Sequence, residues 1–188
     1  MDVCRRADVE LLPAAVLDPR QPEVLQTLSG ARLLCLMPSA QRWPIFFNPL
    51  CDILRDVMQP GNDAARLPIW CQCSHVGDAT AFDTIFLEVG LAVPVIFGSI
   101  GGDSLIEAIS LARGNPRYFI ATNGLRGIGE IATAASAIGA NRIIFGSSAP
   151  ARSLAAALSL VRFSGLTAAD RALVLGGNAR RLLGGSNS

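Results

Sequence analysis

Apolar residues come in short, nearly unbroken runs, separated by longer stretches in which they recur at helical spacing. The runs are residues 9–17 (VELLPAAVL), 32–37 (RLLCLM), 67–74 (LPIWCQCS), 92–99 (AVPVIFGS), 118–122 (YFIAT) and 142–145 (RIIF). Few of them alternate apolar with polar positions. That is the pattern of strands covered on both faces, as in a parallel sheet flanked by helices. Residues 21–28, 48–58, 78–89, 105–113 and 128–138 read as the intervening helices, and 152–163, 167–175 and 178–183 as three more at the end. Asn48 is the predicted N-cap of the second helix, with Pro49 at its first position. Asp78 is the predicted N-cap of the third, and Gly90 stops it.

Strand and helix thus alternate six times along one domain, residues 1–188, with no linker or repeat. Strands recur roughly every 30 residues, the spacing of a barrel that builds eight βα units from about 250 residues. A doubly wound open sheet is the other architecture this order allows.

Composition narrows the chemistry. The chain is 51% hydrophobic and 16% charged, with a formal net charge of +1. Such a balance carries no electrostatic footprint for nucleic acid or an anionic membrane. All sixteen basic residues are Arg, which removes Schiff-base, P-loop and metal-bridging lysine mechanisms. No apolar run approaches the 18 or so residues of a membrane span. Five Cys without a secretory pattern at the start imply free thiols and a reduced, cytoplasmic setting.

Candidate chemistry collects just past the strand ends. Gly146-Ser147-Ser148 closes the sixth run, which places two hydroxyls where α/β barrels keep their active sites. A nucleophilic serine needs a base, and His75 is the only histidine. The G-x-S-x-G elbow is absent, and the commoner role for these hydroxyls is to cap the following helix. Ser99-Ile100-Gly101-Gly102-Asp103-Ser104 resembles a weak anion cradle, though Asp103 as an N-cap would compete for the same donors. Asn123, Arg126 and Arg152 also follow strand ends, and Arg152 has the fork to bind a carboxylate bidentately. Cys71, Cys73 and His75 share one face of an extended strand and offer soft donors for zinc. The pair is Cys-x-Cys instead of Cys-x-x-Cys and no fourth ligand is evident, so two buried thiols and a rim histidine are the ordinary reading.

The stretch RIIFGSSAP, followed by LTAADRALVLGGNARRLL, resembles the C-terminal end of the amidohydrolase-related (amidohydrolase 2) family. The family pattern is an apolar strand ending Phe-Gly-Ser-Asp-x-Pro, then a helix containing Asn-Ala-x-Arg-Leu-Leu, here Asn178-Ala179-Arg180-Arg181-Leu182-Leu183. Residues 67–69 and 115–118 also fit its central strands. The resemblance implies a TIM barrel and a metal-dependent hydrolase or decarboxylase. It makes the expected fold an incomplete TIM-like (β/α) barrel of about six parallel strands with outer helices. The first one or two βα units would then be missing, through an N-terminally shortened barrel, a gap closed by another subunit or a misplaced start codon. Ser148 stands where the family carries the Asp that binds metal and acts as general base. The family's first-strand His-x-His is missing, and the fourth strand ends in Ser99 where the family has a metal-binding His. The expectation is an amidohydrolase-like protein with a degraded metal site. It would bind a small carboxylate-type ligand, or complete a partner subunit, with little or no metal-dependent catalysis. Ser148 and His75 would be the catalytic candidates in the pocket, with Ser99, Asp103, Asn123, Ser147 and Arg152 as ligand-binding residues. No metal cofactor is expected, with zinc on Cys71, Cys73 and His75 as the alternative. The other function compatible with the resemblance is a divergent hydrolase or decarboxylase acting on a small carboxylic acid, amide or ester. Two exposed strand edges also predict a homo-oligomer or a partner chain.

Overall fold

The computed structural model describes residues 11–21, 30–59 and 61–184. Six strands form one sheet: β1 Ala14–Leu17, β2 Leu33–Leu36, β3 Ile69–Gln72, β4 Val95–Gly98, β5 Tyr118–Ala121 and β6 Ile143–Ile144. They stand in chain order, and every neighbouring pair is parallel. Parallel crossovers are right-handed almost without exception. A chain that always steps toward the same edge with that hand lays its crossover helices on one face and curls the sheet around the other. The result is a six-strand piece of barrel wall, not a doubly wound sheet.

Helices α1 Pro38–Gln41, α2 Asn48–Val57, α3 Asp78–Glu88, α4 Gly102–Gly114 and α5 Ile128–Ile138 lie between the strands, and α6 Leu154–Arg162, α7 Ala168–Ala172 and α8 Asn178–Leu183 follow β6. None is long and apolar enough to cross a membrane. Alternate strand residues Leu34, Leu36, Ile69, Cys71, Val95, Phe97, Tyr118 and Ile120 meet Leu50, Phe82, Phe86, Ala108 and Ile131 of the helices in the main core. The opposite alternation, Ile96, Phe119, Ala121 and Ile144, forms a smaller cluster on the concave face, joined by Leu33, Trp70 and, from α8, Ala179 and Leu182. Asn178, fully buried, ties α8 to β6 by donating to the carbonyls of Ala140 and Ile143, both at 2.8 Å.

Burial on both strand faces holds for β4, β5 and β6, in which every residue is buried. It does not hold for β1, β2 and β3, where the concave positions are half-buried or exposed. Val16 of β1 is 43% exposed. In those strands the helix-facing side carries the fully buried residues, and Leu33 and Trp70 add only partly buried contacts on the concave side.

Several predicted boundaries move. The strands are shorter than the apolar runs, because the run ends leave the ladder to join loops. Residues 9–10 and most of the predicted helix 21–28 lie outside the described residues. Asn48 is not a cap: Phe47 holds the N-cap position and no side chain closes that end. Nor is Asp78, which lies inside α3 behind Gly77 and accepts a hydrogen bond from the His75 backbone N–H at 2.9 Å. α4 begins at Gly102, three residues before the apolar pattern starts, with Gly101 at the cap in place of Asp103. The predicted helix 152–163 begins at Leu154, capped by Ser153, whose Oγ accepts from the Ala156 N–H at 3.3 Å. Neither Ser147 nor Ser148 caps it. The predicted helix 167–175 ends at Ala172 and passes into a π-helical turn, Leu173–Gly177, which leads into α8.

Candidate functional site

The ends of β4, β5 and β6 are bound together by Asn123, which stands in the single 3-10 turn Thr122–Gly124 after β5. Its Oδ1 accepts from the Ser99 N–H at 3.0 Å, and its Nδ2 donates to Ser99 Oγ at 3.3 Å. Its carbonyl accepts from Ser148 Oγ at 3.2 Å and, more weakly, from Arg152 Nη1 at 3.5 Å. Thr122 repeats the bond toward β6: its Oγ1 donates to the Gly146 carbonyl and accepts from the Gly146 N–H, at 3.2 and 3.1 Å. These loops pack at backbone contact. A Cβ on Gly124 would stand 2.2 Å from the Ile100 carbonyl oxygen, so only glycine fits there.

Ser99 and Ser148 take the left-handed backbone region, with φ of 59° and 55°. That conformation is disfavoured for residues with a Cβ and gathers at functional sites. Both serines turn the chain out of a strand end, and both turns are secured through Asn123. Ser147 spends its hydroxyl locally, accepting from the Ala149 N–H at 3.1 Å.

Above this clasp lies a polar cavity of about 510 Å³, whose lining includes Ser74, Ser99, Asn123, Arg126, Glu130, Ser148 and Arg152. A second, mainly apolar cavity of about 400 Å³ adjoins it between α5 and α6, and Asn123, Arg126 and Arg152 line both. Ser147 belongs to the second. Ser99, Asn123, Ser148 and Arg152 thus line one cavity, together with Ser74, Arg126 and Glu130. Glu130 had a readable signal: it stands three residues after Gly127, the spacing of a capping box. Its Oε2 accepts from the N–H groups of Arg126 and Gly127, at 2.7 and 2.8 Å. Its other oxygen lies toward Gly102, where a Cβ would come within 2.8 Å of it. A carboxylate of the chain thus already faces the start of α4, the end suggested as an anion cradle.

His75 and Asp103 line neither cavity. The His75 side chain is 75% exposed, with Nδ1 3.5 Å from Asp78 Oδ2. Cys71 and Cys73 are fully buried on the helix-facing side of the wall, where burial pushes both thiols well above their ordinary range. The three do not meet, and no group of three or more His, Cys, Asp or Glu side chains is placed to hold a metal ion among the described residues. The polar cavity itself offers hydroxyls, one amide, one carboxylate already engaged at one oxygen, and two guanidiniums. Divalent cations prefer carboxylates and imidazoles, and this donor set does not fit one.

Comparison with known proteins supplies the family. Residues 62–185 match the model of a family described as amidohydrolase. No protein of curated function matches the sequence. Among solved structures, a 2,6-dihydroxybenzoate decarboxylase from Rhizobium superposes with TM-score 0.70 at 15% identity, over 97% of this chain and 74% of that one. An uncharacterised TIM-barrel protein from Bordetella bronchiseptica gives 0.68 at 18% identity, over 97% and 69%. A dihydroxybenzoic acid decarboxylase from Polaromonas, solved with manganese and the inhibitor 2-nitroresorcinol, gives 0.54 at 16% identity, over 90% and 66%.

Proposed function

The chain belongs to the amidohydrolase family, and on that premise we propose that its strand-end cavity binds a small carboxylate without a divalent metal. The observation that carries this reading is the pairing of Arg126 and Arg152 at the mouth of a cavity lined with hydroxyls. No carboxylate lies within ion-pair distance of either guanidinium among the described residues. Two cations facing one polar space attract an anion, and a guanidinium matches a carboxylate with two parallel hydrogen bonds. Asn123 and Ser148 add polar groups beside them. Where the family pattern has an acid, Ser148 gives a neutral hydroxyl engaged with the Asn123 carbonyl, which neither takes a proton nor grips a cation.

Isothermal titration of the full chain with acetate and benzoate, in buffer containing a chelator, tests this. Both acids are expected to bind and their amides not. Arg152→Ala is expected to weaken binding roughly tenfold, the value of about one exposed charge-assisted hydrogen bond. Absence of carboxylate binding, or binding that requires added metal, would overturn the reading.

A second reading is a divergent hydrolase or decarboxylase acting on a small carboxylic acid, amide or ester. It draws on the structural neighbours from Rhizobium and Polaromonas, both decarboxylases of hydroxylated benzoic acids, the second solved with manganese. Stoichiometric manganese or zinc in the purified protein would favour it over the first. We also propose that the chain assembles with a second copy through the exposed side of β1, which would cover the concave face that β1 to β3 leave open.

A further inference from the structure

The cavity between α5 and α6 is unlike the rest of the helix layer. α6 carries the sequence LAAALSLVR, yet among its residues only Val161 is buried. Of its other apolar groups, Leu160 is partly buried against the core, and Leu154 and Leu158 are exposed. Leu125 and Ile128 line one side of that groove, and Ala156, Ala157, Leu160 and Phe163 the other. Ile128 is 56% exposed and Phe163 62% exposed, so the lining presents apolar surface that none of the described residues covers. The charged residues of the lining, Arg126 and Arg152, open onto the polar cavity as well. Beside Phe163 the Arg162 guanidinium, which is not itself in the lining, lies 5.6 Å from the ring centroid. Of the lining hydroxyls, Thr122 donates to the Gly146 carbonyl, while Ser147 and Ser153 accept from the Ala149 and Ala156 N–H groups and keep an O–H to donate. Ser159 adds one further hydroxyl to the lining.

We propose that the ligand is an amphipathic monocarboxylate of the alkanoate class. Its carboxylate sits at the junction of the two cavities, between Arg126 and Arg152, and its alkyl chain lies in the groove between α5 and α6. The inference rests on the carboxylate-binding reading and deepens it. At about 400 Å³ the groove has the size of a small-ligand pocket, not of a seat for a helix or a second protein. Its mainly apolar lining favours a tail without polar substituents, in contrast to the dihydroxybenzoates for which two structural neighbours are named. Glu130, which also lines the polar cavity, has Oε2 committed to the backbone and would repel a second acidic group on the ligand. One carboxylate is therefore favoured over two.

The test is isothermal titration of the full chain with butanoate, hexanoate, octanoate and decanoate, and with 1-octanol. Affinity is expected to rise two- to fourfold with each methylene until the groove is filled, the upper figure being the full transfer of a CH₂ from water. The alcohol is expected to bind at least tenfold more weakly than octanoate. Ala157→Trp, which fills the groove, is expected to abolish the dependence on chain length. If circular dichroism shows that variant unfolded, Ala156→Leu on the more exposed side of the groove is expected to reduce the dependence. Equal affinity from butanoate to decanoate would overturn this inference and leave carboxylate binding standing. A length dependence that survives in a folded groove variant, or octanol binding as tightly as octanoate, would also overturn it. Failure of every acid to bind would remove both readings together.

Discussion

Asn123 carries more of the site than any other residue, because one side chain and its carbonyl reach three strand ends. The amide is suited to this role: it donates and accepts at once, so it answers both the N–H and the hydroxyl of Ser99. Sequence placed Asn123 at a strand end but did not show its partners, which lie 24 and 25 positions away in the chain. At the far side of the sheet, Asp18 ends β1 in a two-point pair with Arg20, Oδ1 to Nε at 2.9 Å and Oδ2 to Nη2 at 2.7 Å. These hydrogen bonds hold its carboxyl below the usual carboxylate range. A depressed folded-state value means stability that is present above about pH 4, the ordinary Asp value, and lost as pH falls through the depressed one. Asp18→Asn is therefore expected to lower Tm at pH 7 and to flatten the fall in Tm between pH 5 and pH 3. Thermal melts of both proteins across that range check it, and parallel curves would refute it.

At the scale of elements, the βα turns separate what periodicity can read from what it cannot. α5 and α8 run over the residues predicted for them, because each is bounded by glycine, and in α5 the buried Ile131, Ala134 and Ile138 repeat at helical period. α4 starts earlier than its pattern because Gly101 and Gly102 look like loop. Glycine at that turn serves close approach, with the Glu130 carboxylate standing where a side chain would go. Gly124 is the sharper case. Its would-be Cβ meets backbone, the Ile100 carbonyl, which cannot move aside as a side-chain tip can. Gly124→Ala is expected to cost about 2 kcal/mol or more, within the range seen for overpacking. Chemical denaturation measures it, and the same variant is expected to weaken carboxylate binding by displacing Asn123. A variant as stable as the parent would show that the two loops are not in contact.

On the scale of the whole molecule, the six strands make a wall with β1 and β6 at its two ends. β6 is buried and tied to α8 through Asn178, whereas β1 leaves Val16 exposed on its concave side, and an outer strand with an open apolar face tends to find a partner. Analytical ultracentrifugation is expected to give a mass of at least two chains, and Val16→Lys on β1 to shift it toward one. A monodisperse monomer at all concentrations would count against the proposed self-association. The amino-acid sequence by itself determined the alternation of strand and helix, the parallel sheet and the family motifs, since these follow from local periodicity, turn residues and short patterns. It also placed hydroxyls, an amide and arginines at strand ends. Only the tertiary structure decided which of them meet: that Asn123 joins Ser99 to Ser148, that Arg126 and Arg152 share two cavities, and that His75 stands apart from all of them. Convergence of that kind depends on the curvature of the sheet and the packing of helices on it, and neither is written in any one stretch of the chain.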